Sequence, residues 1–282
     1  MLNRRSSLCG SGRRASRVAI VVALSALLIG IALAAAQTRP PPAEVAFPDS
    51  SGKLRLTGQL YRPEKAGTLP AVILLHGCDG IGPLLHRWAQ TLRHWGYVGL
   101  ILDSLGPRRV TDADACRKLP DPFASPQHVR MPDAYAAKRF LETRSFVDRN
   151  RIAIMGWGLG GWAVLYAIDE VYLTEISTPP FRAAIAVYPW CAPGFRLLML
   201  NAPLLVLIGE ADDWAVLCEN MVGRLERDET ASPHEVALKV YPGAPNRFDD
   251  LEPESPYLNS AEKAVRRFLA QHLSTDPSAG RR

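Results

Sequence analysis

The chain has 282 residues, 48% hydrophobic and 22% charged, which excludes a fibre or a disordered chain and suits one large α/β domain or two small ones. Its net charge of +5 belongs to the first 36 residues, which hold Arg4, Arg5, Arg13, Arg14 and Arg17 and no acid. Beyond them the basic and acidic residues balance at 28 each, so no electrostatic case exists for nucleic-acid binding.

The basic segment runs into an apolar stretch, Val18 to Ala36, that ends in Ala34-Ala35-Ala36. This order is that of a secretory signal peptide over residues 1–36. An uncleaved N-terminal anchor is the alternative, because the stretch is about long enough to span a bilayer. No Cys stands directly after it, so a lipid anchor is not expected. Localisation is therefore expected to be periplasmic or secreted, with no membrane contact once the leader is removed. Residues 37–53 are polar and Pro-containing and read as a linker, and residues 274–282 read as a flexible tail.

Between them, short apolar runs alternate with amphipathic stretches. The runs are Leu69–Leu75, Tyr97–Leu102, Ile152–Met155, Ala183–Tyr188, Leu204–Ile208 and Val236–Tyr241. Bounded by Gly, Pro and Asp, they predict strands buried on both faces, hence a parallel sheet. Helices are predicted over Leu84–Trp95, Pro132–Glu142, Leu159–Ile168, Val216–Leu225 and Ala261–Leu273. Strand and helix in alternation predict one doubly wound α/β domain over residues 54–273, with about eight strands. No internal repeat is present.

The central motif is Met155-Gly156-Trp157-Gly158-Leu159-Gly160-Gly161, where an apolar strand meets small residues and then a helix. This is the frame of a nucleophile elbow, G-x-S-x-G, with Gly156 and Gly160 flanking the tight turn. The nucleophile place holds Gly158, which has no side chain to attack a carbonyl. The same glycines formally spell a dinucleotide-binding loop. That fingerprint belongs in the first βαβ unit, with an acid at the end of the next strand. Here it falls in mid-chain, and Glu175 precedes a Pro-Pro loop.

The chain from about residue 54 to 273 resembles the dienelactone hydrolase family of the α/β-hydrolases. The resemblance rests on several segments in one order. They are Leu75-His76-Gly77-Cys78-Asp79-Gly80, Leu102-Asp103-Ser104-Leu105-Gly106-Pro107-Arg108, the elbow, Val187-Tyr188-Pro189, Ile208-Gly209-Glu210-Ala211-Asp212-Asp213-Trp214, and Tyr241-Pro242-Gly243-Ala244-Pro245-Asn246-Arg247-Phe248-Asp249. It implies hydrolysis of carboxylic esters or lactones, with no cofactor and no metal. It also implies an oxyanion hole from the N–H groups of Cys78 and Leu159, with Asp212 at the place of the triad acid. Asp213 is the near alternative.

The family has His where this chain has Asn246, or Pro245 if the alignment slips by one. Neither serves as a general base near neutral pH. The resemblance therefore implies a degenerate triad, Gly158, Asp212 and Asn246, and weak or absent hydrolysis. A non-catalytic protein that binds a small molecule or a protein partner is the other reading. Among the histidines, His76 belongs to the oxyanion turn. His128 alone is placed near the site rim. Asp79, Trp157, Trp190 and Trp214 follow strand ends, where they line a pocket or pack under loops. Past the leader lie Cys78, Cys116, Cys191 and Cys218, an even number that points to disulfides in an exported chain. Of three pairings, the implied topology favours Cys78–Cys116 and Cys191–Cys218; buried free thiols are the alternative.

Overall fold

A computed structural model of the protein describes residues 40–110, 129–173, 178–191, 197, 199–228, 233–250 and 255–274. The expected leader, the tail beyond Ser274, Cys116 and His128 lie outside them.

Six strands form the parallel part of one sheet: β3 (Leu69–Leu75), β4 (Val98–Asp103), β5 (Val147–Trp157), β6 (Ala184–Val187), β7 (Leu204–Gly209) and β8 (Val236–Tyr241). β1 (Ala43–Pro48) and β2 (Arg55–Tyr61) extend it antiparallel, giving the order β1-β2-β4-β3-β5-β6-β7-β8. Every side chain of β6 and β7 is buried, as is every one of β4 before Asp103. Such strands are stable only with helices on both faces. Those helices are α1 (Pro83–His94), α2 (Met131–Glu142), α3 (Leu159–Ala167), the single turn α4 (Glu170–Leu173), α5 (Ala215–Arg227) and α6 (Pro256–Leu273). α1 buries Leu85, Trp88, Ala89 and Leu92, the three-and-four spacing of one helix face. Each such large apolar side chain contributes about 1.5–3 kcal/mol.

The doubly wound sheet read from the sequence is thus the fold. The linker reading needs correction, because residues 43–48 form strand β1, paired from Ala43↔Leu60 to Pro48↔Arg55. Its signal is faint because β1 is an edge strand with one buried side chain, Phe47. α6 starts five residues before Ala261, where Ser255 caps it by accepting the Tyr257 N–H at 3.3 Å.

The chain goes from β3 to β4 on one side and then crosses to β5 on the other. This switch opens a crevice at the carboxyl edge between β3 and β5, where open α/β sheets bind ligands. Register brings Leu75, Gly156, Ala186 and Val206 level across that edge. The loops after β3, β5, β6, β7 and β8 therefore converge on one place.

Candidate active site

The turn from β5 into α3 is tight. A Cβ on Gly156 would lie 2.3 Å from the Gly160 carbonyl oxygen, and one on Gly160 would lie 2.2 Å from that of Leu75. Neither place accepts a side chain. Gly158, between them, adopts φ 53° and ψ −114°, strained for any residue with a side chain. A Cβ there would meet nothing within 4 Å. The turn therefore presents its apex to open space, with room for a side chain that the sequence does not provide. The Gly158 N–H donates to Val187 at 3.0 Å, and its carbonyl accepts from Trp162 at 2.9 Å.

That space is a cleft of about 380 Å³, lined among others by Cys78, Asp79, Trp157, Trp190, Asn246 and Arg247. Leu159 opens α3, so its N–H is one of those a helix leaves without an internal partner. Its side chain packs against Leu105 beside Cys78.

On the far wall, the Asn246 amide donates from Nδ2 to Oδ2 of Asp212 at 2.6 Å. A carboxylate only accepts, so Asn246 must turn its NH₂ to Asp212 and its carbonyl oxygen away. Oδ1 of Asp212 accepts the Trp214 N–H at 2.9 Å, and the carboxylate is nearly buried at the end of β7. Asp213 is exposed. The structure thus brings Gly158 and Asn246 to one cleft and gives Asn246 to Asp212.

His76 is 1% exposed; its Nδ1 meets the Gly77 carbonyl oxygen at 2.8 Å, and its own carbonyl accepts from Arg130 at 2.6 Å. Burial, with Arg130 beside it, pushes its pKa down to about 3, so it holds a neutral ring in the turn. Cys191 and Cys218 are bonded, Cα to Cα 5.3 Å, tying the loop after β6 to α5. Cys78 is also in a disulfide. Its expected partner, Cys116, is outside the described residues, as is His128.

Sequence reasoning missed a second layer. Asp249 is fully buried, and its Oδ2 accepts indole N–H groups from Trp88 and Trp157, each at 2.9 Å. The Tyr188 phenol lies against the same carboxyl, which burial raises above its ordinary pKa. Trp157 precedes Gly158, and Asp249 follows Asn246 by three residues. The carboxyl therefore pins the Asn246 loop to the elbow. Tyr188 carries a positive φ of 36°, a local strain beside the cleft. At the mouth, Arg247 forms ion pairs with both Asp79 and Asp250. An acid in the run Phe248-Asp249-Asp250 carries no sequence signal for this pinning, since its indole partners lie 161 and 92 residues away.

The dienelactone hydrolase family model matches residues 56–274. A probable 2-oxo-3-(5-oxofuran-2-ylidene)propanoate lactonase from Bradyrhizobium is 25% identical over 213 residues, 71% of this chain and 82% of that protein. Among solved structures, a putative dienelactone hydrolase from Klebsiella pneumoniae superposes with a TM-score of 0.64 at 20% identity, covering 82% of this chain and all of that one. A dienelactone hydrolase-like promiscuous phosphotriesterase from metagenomic libraries gives 0.67 at 17% identity, over 83% of this chain and all of that one. With a match across most of its length and the α/β-hydrolase sheet beneath it, the chain belongs to the dienelactone hydrolase family of ester and lactone hydrolases.

Proposed function

We propose that this protein is an exported pseudohydrolase: it binds a small carbonyl compound in the family cleft and turns it over slowly or not at all. The observation that supports this is the pairing of Asn246 with Asp212 across the cleft from a bare apex at Gly158. In a working triad the acid orients a histidine, which takes the proton of the nucleophile. An amide in the histidine's place accepts no proton near neutral pH, and a glycine offers no attacking atom. Loss of both groups costs about a million-fold in kcat, because triad members act as a unit. Cys78 does not substitute as a nucleophile, since its sulfur is in a disulfide. The basic and apolar leader and the Cys191–Cys218 bond support export to an oxidising compartment.

Hydrolysis of p-nitrophenyl acetate and simple lactones by the purified protein, beside Gly158→Ser/Asn246→His, tests the reading. A silent parent and an active double variant are expected. Turnover by the parent at an ordinary enzymatic rate would end the proposal.

A further inference from the structure

Three half-buried indoles run away from the cleft. Trp190, on its wall, lies between Trp162 and Trp214, with ring centroids 6.0 Å apart on each side and planes tilted by 28° and 24°. Full face contact brings atoms to about 3.5–4.0 Å, so near-parallel rings at this spacing are slipped sideways rather than fully overlapped. The row continues through Tyr166, 5.8 Å from Trp162, to Tyr172, a further 4.7 Å on.

The row is held in place. Trp190 precedes Cys191, bonded to Cys218 of α5, and the Trp214 N–H is held by Asp212. The charges at the mouth fit an uncharged occupant, because Arg247 is already paired with Asp79 and Asp250 and has no further acid to attract.

We infer that the cleft takes a neutral carbonyl compound with an aromatic group, its carbonyl at the elbow and its ring on the shelf of Trp190 and Trp214. The inference rests on the ligand-binding reading above and names its ligand class. A small polar lactone would leave the shelf unused, and a carboxylate would face Asp79 and Asp250.

Calorimetric titration of the whole protein with 2-acetylnaphthalene, 2-naphthoate and γ-butyrolactone tests it, repeated on Trp190→Ala and on Trp214→Ala. The neutral ketone is expected to bind about tenfold or more tighter than either other probe. Each variant should weaken that ketone by about 3- to 10-fold, the range of one aromatic or apolar contact, and leave γ-butyrolactone unchanged. Tighter binding of naphthoate overturns the inference, as does a ketone affinity that either variant leaves intact. If the parent instead hydrolyses esters, the pseudohydrolase reading falls alone. The shelf is then read from KM for 1-naphthyl acetate against ethyl acetate in the same three proteins.

Discussion

Asp249→Ala removes the one carboxyl that satisfies two buried indoles. The Trp88 and Trp157 N–H groups each lose a 2.9 Å acceptor in a place with no water access, since both rings are at most 1% exposed. An orphaned buried donor costs about 1–3 kcal/mol, so the pair costs about 2–6 kcal/mol. At 2–4 °C per kcal/mol for a chain of this size, Tm falls by roughly 4–24 °C. Asp249→Asn keeps an acceptor oxygen for the indoles and carries no charge, so it should lose far less. It should also change the pH dependence. Burial raises the Asp249 carboxyl above its ordinary 3.8, so the folded chain holds this proton where the unfolded chain has released it. The contribution is complete below pH 3.8 and is lost as pH rises through the folded value. The asparagine variant should lack that loss. Urea unfolding of all three proteins at pH 4 and pH 7 measures both effects. An alanine variant as stable as the parent would refute the reasoning, because the indoles would then need no carboxyl.

Gly160→Ala should give insoluble or unfolded protein, since its Cβ would lie 2.2 Å and 2.6 Å from the Leu75 and His76 carbonyl oxygens; soluble expression reads the outcome. Cys191→Ala/Cys218→Ala opens a link across 27 residues and should cost about 3 kcal/mol, read by unfolding against the parent without reductant. The His76 ring, with its pKa near 3, should show no imidazole titration between pH 7 and pH 4 by NMR. The unfolded chain takes up that proton below its ordinary 6.5, so His76 makes stability fall with pH from 6.5 toward 3.

The parallel strands were legible because they are apolar runs ended by Gly, Pro or Asp, a pattern that burial on both faces writes directly in β3, β4, β6 and β7. β1 and β2 were not, because the edge strand β1 fully buries Phe47 alone and so looks like a linker, and β2 alternates polar with apolar residues. The elbow was legible because its glycines are required by contact at 2.2–2.3 Å, a constraint of spacing that survives in sequence. The Asn246 position was legible as an exception to a family pattern. Its bond to Asp212 depends on two loops meeting across β7 and β8, which only the folded register shows. Asp249 read as one more loop acid, and nothing local marks a carboxyl whose partners come from α1 and β5. The tryptophans were visible at strand ends, but whether they lined a pocket or packed under loops was open. Trp157 does both, at 1% exposure, whereas Trp190 stands half-open on the cleft wall.

The central claim is that no residue of this protein attacks a carbonyl. Intact-mass measurement after incubation with an aryl fluorophosphonate tests it most directly, because such a reagent marks an activated nucleophile without any choice of substrate. The parent should gain no mass, and Gly158→Ser/Asn246→His should gain one phosphonyl group at position 158. A single stoichiometric adduct on the parent, at any residue, would contradict the account.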